Sequence, residues 1–225
     1  MSRLPLFPLG TVLFPGLVLP LNIFEPRYRD LARHLRDLPD GTRREFGVVA
    51  IKRGWEVDDT SGATASLTLH EVGCSAEVRQ LTELDDGRFE LVTVGRRRFV
   101  ITEVDATSAP YLTAEVRWLD EPAEGRGEAD RLVPGLLDLF QRYLRLVRPD
   151  QPGEQMPDDP EVLSHLIAAT ALLPLDERQA LLAAESTAAR LRAEQRLLRR
   201  EVGLLGHIRA VPVPASELGG AGSTN

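Results

Sequence analysis

The apolar pattern of this chain changes period once, across residues 120–127 (DEPAEGRG), and that change constrains the fold more than any single motif. Upstream, apolar residues alternate with polar ones. In Tyr111–Trp118, Leu112, Ala114, Val116 and Trp118 alternate with Thr113, Glu115 and Arg117, the period of a strand with one buried face. Downstream, Val133, Leu136, Leu137, Phe140, Leu144 and Val147 recur at steps of three and four, the period of a helix. A chain that satisfies both periods is α+β, with a β part over residues 1–119, a linker over 120–127 and a helical bundle over 128–210.

Within the β part, the apolar run Phe46–Ile51 reads as a strand covered on both faces. Leu67–Val72 and Cys74–Val78 read as one long strand bent or bulged at Gly73. Asp85-Asp86-Gly87 is a hairpin turn, and Gly95 is expected to turn the chain into Phe99–Val104. One helix interrupts the strands, from Pro26 to about Leu38, with Tyr28, Leu31, Leu35 and Leu38 on its apolar face. Several short strands at close spacing predict a barrel or sandwich.

In the helical part, Pro134-Gly135 predicts a kink or a late start. Asp159-Pro160-Glu161 supplies an N-cap, a proline at the first helical position and an acid in the first turn. Pro174 ends that helix, and Asp176 with Gln179 resembles a capping box for the next. A last helix is expected from about Ser186 to Leu205. Residues 211–225, rich in Gly and Ser, are expected to be a disordered tail.

Composition removes several chemistries. Lys52 is the only lysine among 27 basic residues, and its setting, IKRG, is neither a phosphate-binding loop nor the base of a serine–lysine peptidase. One cysteine, Cys74, excludes an intrachain disulfide and a cysteine zinc site. His70 and Cys74 would lie about 13 Å apart along a strand, too far to share a metal or a proton. Net charge −7 opposes binding to nucleic acid or to an anionic membrane through bulk charge. The basic run Arg96-Arg97-Arg98 is expected to be a solvated edge that discourages strand pairing. The apolar stretch Val12–Phe24 contains Pro15 and Pro20 and is not a spanning helix. A soluble, cytoplasmic, non-enzymatic protein with no cofactor and no metal is expected.

The stretch PLFPLGTVLFPGLVLPLNIFEPRYRDL, from Pro5 to Leu31, resembles the start of the Lon protease N-terminal, substrate-binding domain. Further matches follow in order: FGVVAI at Phe46–Ile51, LHEVGCSAEV at Leu69–Val78, DGRFELVTVGRRRF at Asp86–Phe99 and PYLTAEV at Pro110–Val116. LLPLDERQALLAAESTAARLRAEQRLLRRE, from Leu172 to Glu201, resembles the closing helices of the same region. The resemblance implies a PUA-like β pseudobarrel followed by a helical bundle, and a role in capturing unfolded or tagged proteins. The family's ATPase and peptidase modules are not expected in this sequence.

Client polypeptides or a protease component are therefore the expected partners. The candidate protein-binding residues are Phe14, Pro15 and Gly16, at a turn where an exposed aromatic would need a partner, together with Phe24 and Tyr28. Glu25 and Arg27 are expected to pair with each other or to cap the helix at Pro26. The alternative is a PUA-like barrel that binds RNA or a modified nucleotide, which the net charge opposes.

Overall fold

The computed structural model describes residues 2–53, 68–123, 125–150 and 155–210. Its strands are β1 (Ser2–Leu9), β2 (Val18–Ile23), β3 (Glu45–Arg53), β4 (Thr68–Leu69), β5 (Val72–Glu83), β6 (Phe89–Asp105) and β7 (Thr113–Leu119). Helix α1 (Pro26–Arg36) lies between β2 and β3, and α2 (Arg126–Val147), α3 (Pro160–Thr170), α4 (Leu175–Leu182) and α5 (Thr187–Ala210) follow the strands. The sheet order is β1-β7-β6-β5-β3-β4, with β2 paired to β6. A second pairing of β1, parallel to β3 in the register Leu6↔Gly47, closes the sheet on itself. The other pairings are antiparallel, so this is a mixed α+β fold with a closed barrel, as the two periods require.

Local chemistry explains most elements. The Asp85-Asp86-Gly87 hairpin joins β5 to β6, with Gly87 at φ 76° and the Leu84 amide donating to the Arg88 carbonyl at 2.8 Å. Asp159 caps α3 by accepting from the Glu161 and Val162 amides, each at 3.0 Å. Helix α2 continues through Pro134 without a break in its span.

Three expectations are corrected. Gly95 is not a turn: β6 runs unbroken through it, and the glycine is required because a Cβ there would meet the Phe14 carbonyl oxygen at 2.2 Å. The bend in the strand before it falls at His70–Glu71, between β4 and β5, and not at Gly73. Gly73 instead makes room for Phe99, whose ring would lie 2.5 Å from a Cβ. Gln179 does not cap α4, whose N-cap is Pro174; it is buried and donates to the Val72 carbonyl of β5 at 2.8 Å.

The barrel interior holds Phe14, Phe46, Phe89 and Leu91, and the same cluster includes Ala168 of α3 and Leu181 and Leu182 of α4. The apolar core thus continues from the barrel into the helices. A second cluster, around Leu136, Phe140, Leu163 and Leu191, is internal to the helices. The third, around Leu6, Phe99 and Val116, lies between β1, β6 and β7. The expected tail lies outside the described residues. No helix among the described residues is long and apolar enough to cross a membrane.

Candidate functional site

The structure separates the predicted binding residues. Phe14 is fully buried, so the turn that it precedes does not present an aromatic ring, and Phe14 is removed from the exposed site. Its ring packs 6.3 Å from that of His165 on α3, because the apolar side chain is worth more between barrel and helices than in water. Pro15 is half-buried and Gly16 exposed. Gly16, at φ 80°, donates its amide to the Gly95 carbonyl at 2.8 Å, so this turn serves to dock the chain on β6.

Phe24 lies at the other end of β2, about 20 Å along the strand, and is 56% exposed. It borders a cleft of ≈ 170 Å³ lined by Phe7, Pro8 and Leu9 of β1, by Leu21, Asn22 and Ile23 of β2, and by Glu25 and Tyr28. β1 and β2 are not paired to each other, and the cleft lies between them. Tyr28, buried rather than exposed, stacks on Phe7 with ring centroids 4.1 Å apart and forms part of the cleft wall. Arg27 pairs with Glu25 at 3.0 Å and lies over the Tyr28 ring at 4.7 Å. This confirms the expected Glu25–Arg27 pairing; Glu25 also stands at the N-cap position of α1, without a side-chain capping hydrogen bond. Phe24 and Tyr28 therefore share a cleft whose walls are apolar and whose rim carries one ion pair and one amide. Such a surface can receive an apolar side chain from an extended segment.

A second assembly sits where the barrel meets the helices. Arg98 is not at a solvated edge. It is buried, donates to the Leu182 carbonyl at 2.8 Å and the Ala184 carbonyl at 2.6 Å, and pairs with Glu121 at 2.6 Å. Its neighbours are engaged as well: Arg96 with Glu77, and Arg97 with Asp120 and over the Trp118 ring. Glu121, in the linker, also binds Arg190 of α5 and accepts from the Thr187 hydroxyl. Arg190 is fully buried and also donates to the Leu181 carbonyl, the Ser164 hydroxyl and His165 Nε2, the last at 2.9 Å. A guanidinium only donates, so Nε2 of His165 must accept, and the ring must be neutral. Burial, reinforced by Arg190 and Arg98, pushes the His165 pKa down to about 2. Glu194, one turn after Arg190, is buried with neither carboxyl oxygen hydrogen-bonded, and burial raises its pKa well above the ordinary value despite Arg190.

This assembly has a basic, a hydroxyl and an imidazole group, yet it is built for cohesion. The imidazole is held as an acceptor by Arg190, and the Ser164 hydroxyl donates to the Glu161 carbonyl at 2.8 Å. Cys74 is also inert, because burial pushes its thiol up to about 12. Among the described residues, no three His, Cys, Asp or Glu side chains gather to hold a metal ion. The assembly leaves one sequence signal. Arg190 and Glu194 fall on the same stripe of α5 as Leu191 and Leu198, where charges would not be placed without partners or a purpose.

The fold and the cleft define the class first: a mixed β barrel closed by its first strand, backed by a helical layer, with an apolar cleft open on the barrel. A family model described as the ATP-dependent protease La (LON) substrate-binding domain matches residues 3–200, and the chain belongs to that family. It is 30% identical over 216 residues to Lon protease 2 of Herpetosiphon aurantiacus, covering 90% of this chain and 24% of that protein. It is 32% identical over 154 residues to Lon protease 1 of Thermus thermophilus, covering 65% of this chain and 19% of that protein. The chain thus spans about a quarter of the curated relatives it matches. Among solved structures, a Lon N-terminal domain protein from Xanthomonas campestris superposes with a TM-score of 0.55 at 24% identity, covering 85% of this chain and 96% of that one. The N-terminal domain of the Mycobacterium avium complex Lon protease gives 0.55 at 18% identity, covering 90% and 98%. Both likenesses concern the fold.

Proposed function

We propose that this chain is a non-catalytic, cytoplasmic substrate-recognition module that binds apolar segments of client polypeptides, or of a proteolysis partner, at the Phe24 cleft. The observation that carries the reading is an exposed Phe24 beside an open apolar cleft, in a chain of the substrate-binding domain family. Large exposed aromatics beside a cleft are where a monomeric surface gains most by covering itself. The inert state of Cys74, His165 and Ser164 supports a binding role over chemistry. Nucleic-acid binding is the weaker reading, because the Arg96–Arg98 run is already engaged by Glu77, Asp120 and Glu121.

The test is Phe24→Ser with a carboxymethylated, permanently unfolded model protein as client. Burying a Phe side chain contributes roughly 1.5–3 kcal/mol, so affinity is expected to fall about 10- to 100-fold. Thermal melting is expected to stay put, since the side chain is half in water already. Wild-type affinity in Phe24→Ser would sink the cleft as the binding site.

A further inference from the structure

Glycine inside a helix needs a reason, because only proline is a poorer helix former. In the barrel the reasons are internal: a Cβ on Gly47, Gly73 or Gly95 would meet Phe99 or the Phe14 carbonyl at 2.7, 2.5 or 2.2 Å. Gly135 of α2 and Gly203 and Gly206 of α5 have no such reason. Their φ angles are not positive, and a Cβ on any of them would meet nothing within 4 Å.

These glycines lie on two facing stripes. α2 and α5 run parallel: Glu128 meets Arg192 near their starts, and Arg142 lies with Gly203 and Gly206 further along. The α2 stripe is Gly135, Asp138, Leu139 and Arg142, and the α5 stripe is Gln195, Arg199, Val202, Gly203, Gly206 and His207. Between them runs an open groove made of two adjoining depressions of ≈ 440 and ≈ 280 Å³. Leu139 and Val202 form its apolar floor. Arg142 and Arg199 border it, and among the described residues neither has an ion pair or a hydrogen bond. Elsewhere on α5, Arg192 pairs with Glu128 and Arg200 with Glu177. The groove's own carboxylate, Asp138, leaves its lining with an excess of positive charge.

We propose that the α2–α5 groove docks a helix of a partner polypeptide whose apolar stripe is flanked by carboxylates. Gly135, Gly203 and Gly206 lower the walls of the groove where they stand, the floor matches an apolar stripe, and the two unpaired guanidinium groups call for acids on its flanks. Along α5 the lining runs from Gln195 to His207, which accommodates about three turns of helix. A second copy of this chain fits badly, because self-pairing on this face would bring the arginines of both copies together. The groove lies on the helical layer, apart from the Phe24 cleft, so the two sites stand or fall separately.

The probe is a fluorescein-labelled helical peptide of about 18 residues, with a Leu/Ala seam flanked by Glu, titrated with the full chain. A saturable rise in anisotropy is expected, and none with the counterpart carrying Lys in place of Glu. Gly203→Met fills the groove while favouring the helix, so affinity is expected to drop at least ~10-fold with the melting temperature unchanged or raised. Arg142→Glu combined with Arg199→Glu is expected to reverse the preference toward the Lys peptide. Phe24→Ser is expected to bind the Glu peptide as the unaltered chain does. The proposal is overturned by absence of saturable binding up to ~1 mM, by equal binding of the two peptides, or by full affinity in Gly203→Met. It is overturned equally if Gly203→Met disrupts a dimer in sedimentation, or flotation with anionic vesicles, and leaves peptide binding intact; the occupant would then be a second copy or a membrane.

Discussion

Glu194 and His165 show how one buried position can oppose another. Burial raises the pKa of Glu194 above its ordinary 4.5, so the stability tied to its protonated form is complete below pH 4.5 and is lost as pH rises. Burial lowers the pKa of His165 from 6.5 to about 2, so the stability tied to its neutral form is complete above 6.5 and is lost as pH falls. Each contributes a slope of about 1.4 kcal/mol per pH unit within its window. Just above pH 4.5 the two slopes have opposite sign and oppose each other. Glu194→Gln removes the alkaline limb alone. Urea midpoints of Glu194→Gln are expected to exceed those of the unaltered chain at pH 7.5 and to match them at about pH 4.5. A variant equally shifted at both values would show that Glu194 is not an orphan acid.

At the scale of elements, the linker between β7 and α2 acts as a clasp. Glu121 holds Arg98 of β6 and Arg190 of α5 at once, and Arg98 also binds the carbonyls at the end of α4. Removing Glu121 leaves two guanidinium groups facing each other away from water. Glu121→Ala is expected to cost about 3–5 kcal/mol, measured by urea denaturation. A cost below about 1 kcal/mol, the range of surface ion pairs, would mean that water reaches the cluster. This clasp was hidden in the sequence, whereas the elements that it joins were not. The alternation in Tyr111–Trp118, the Asp85-Asp86-Gly87 turn and the Asp159-Pro160 start each record a local constraint, and each was legible. Arg98 belongs to an arginine run that reads as a solvated edge, and its partners lie in the linker and beyond α4. Gly95 reads as a turn because the need it meets, space for the Phe14 carbonyl, comes from a segment 81 residues earlier. The candidate site was legible to the extent of its aromatic residues. Phe24 and Tyr28 were named from their types, but which ring faces water depends on the β2–β6 register, with Ile23↔Phe89 at its end.

For the whole molecule, the shared core decides how the halves behave. Ala168, Leu181 and Leu182 complete the barrel interior around Phe14, and Arg98 and Gln179 bond across the same junction. Separating the halves would expose that apolar surface together with buried polar groups. The described chain is therefore expected to melt in one transition, with calorimetric and van't Hoff enthalpies in agreement. Two resolved transitions, or a stable isolated fragment of residues 2–119, would show that the junction is not needed for folding.

The closure of the barrel by its first strand also sets a schedule. Ser2–Pro5 pair with Thr113–Val116, and Leu6–Leu9 pair with residues 47–50. During synthesis β1 lacks its partner strands until β3 has emerged, and its other edge stays bare until β7, more than a hundred residues from β1 in sequence, follows. Pairings of such long sequence separation form slowly. For that interval Leu4, Leu6 and Phe7, all buried in the finished barrel, wait in water as part of an unpaired edge. Pro5 and Pro8 interrupt the row of amides along it, and an interrupted row is a poor template for a stray chain. A surface proposed to engage unfolded chains is thus completed by a strand that must first avoid being engaged as one.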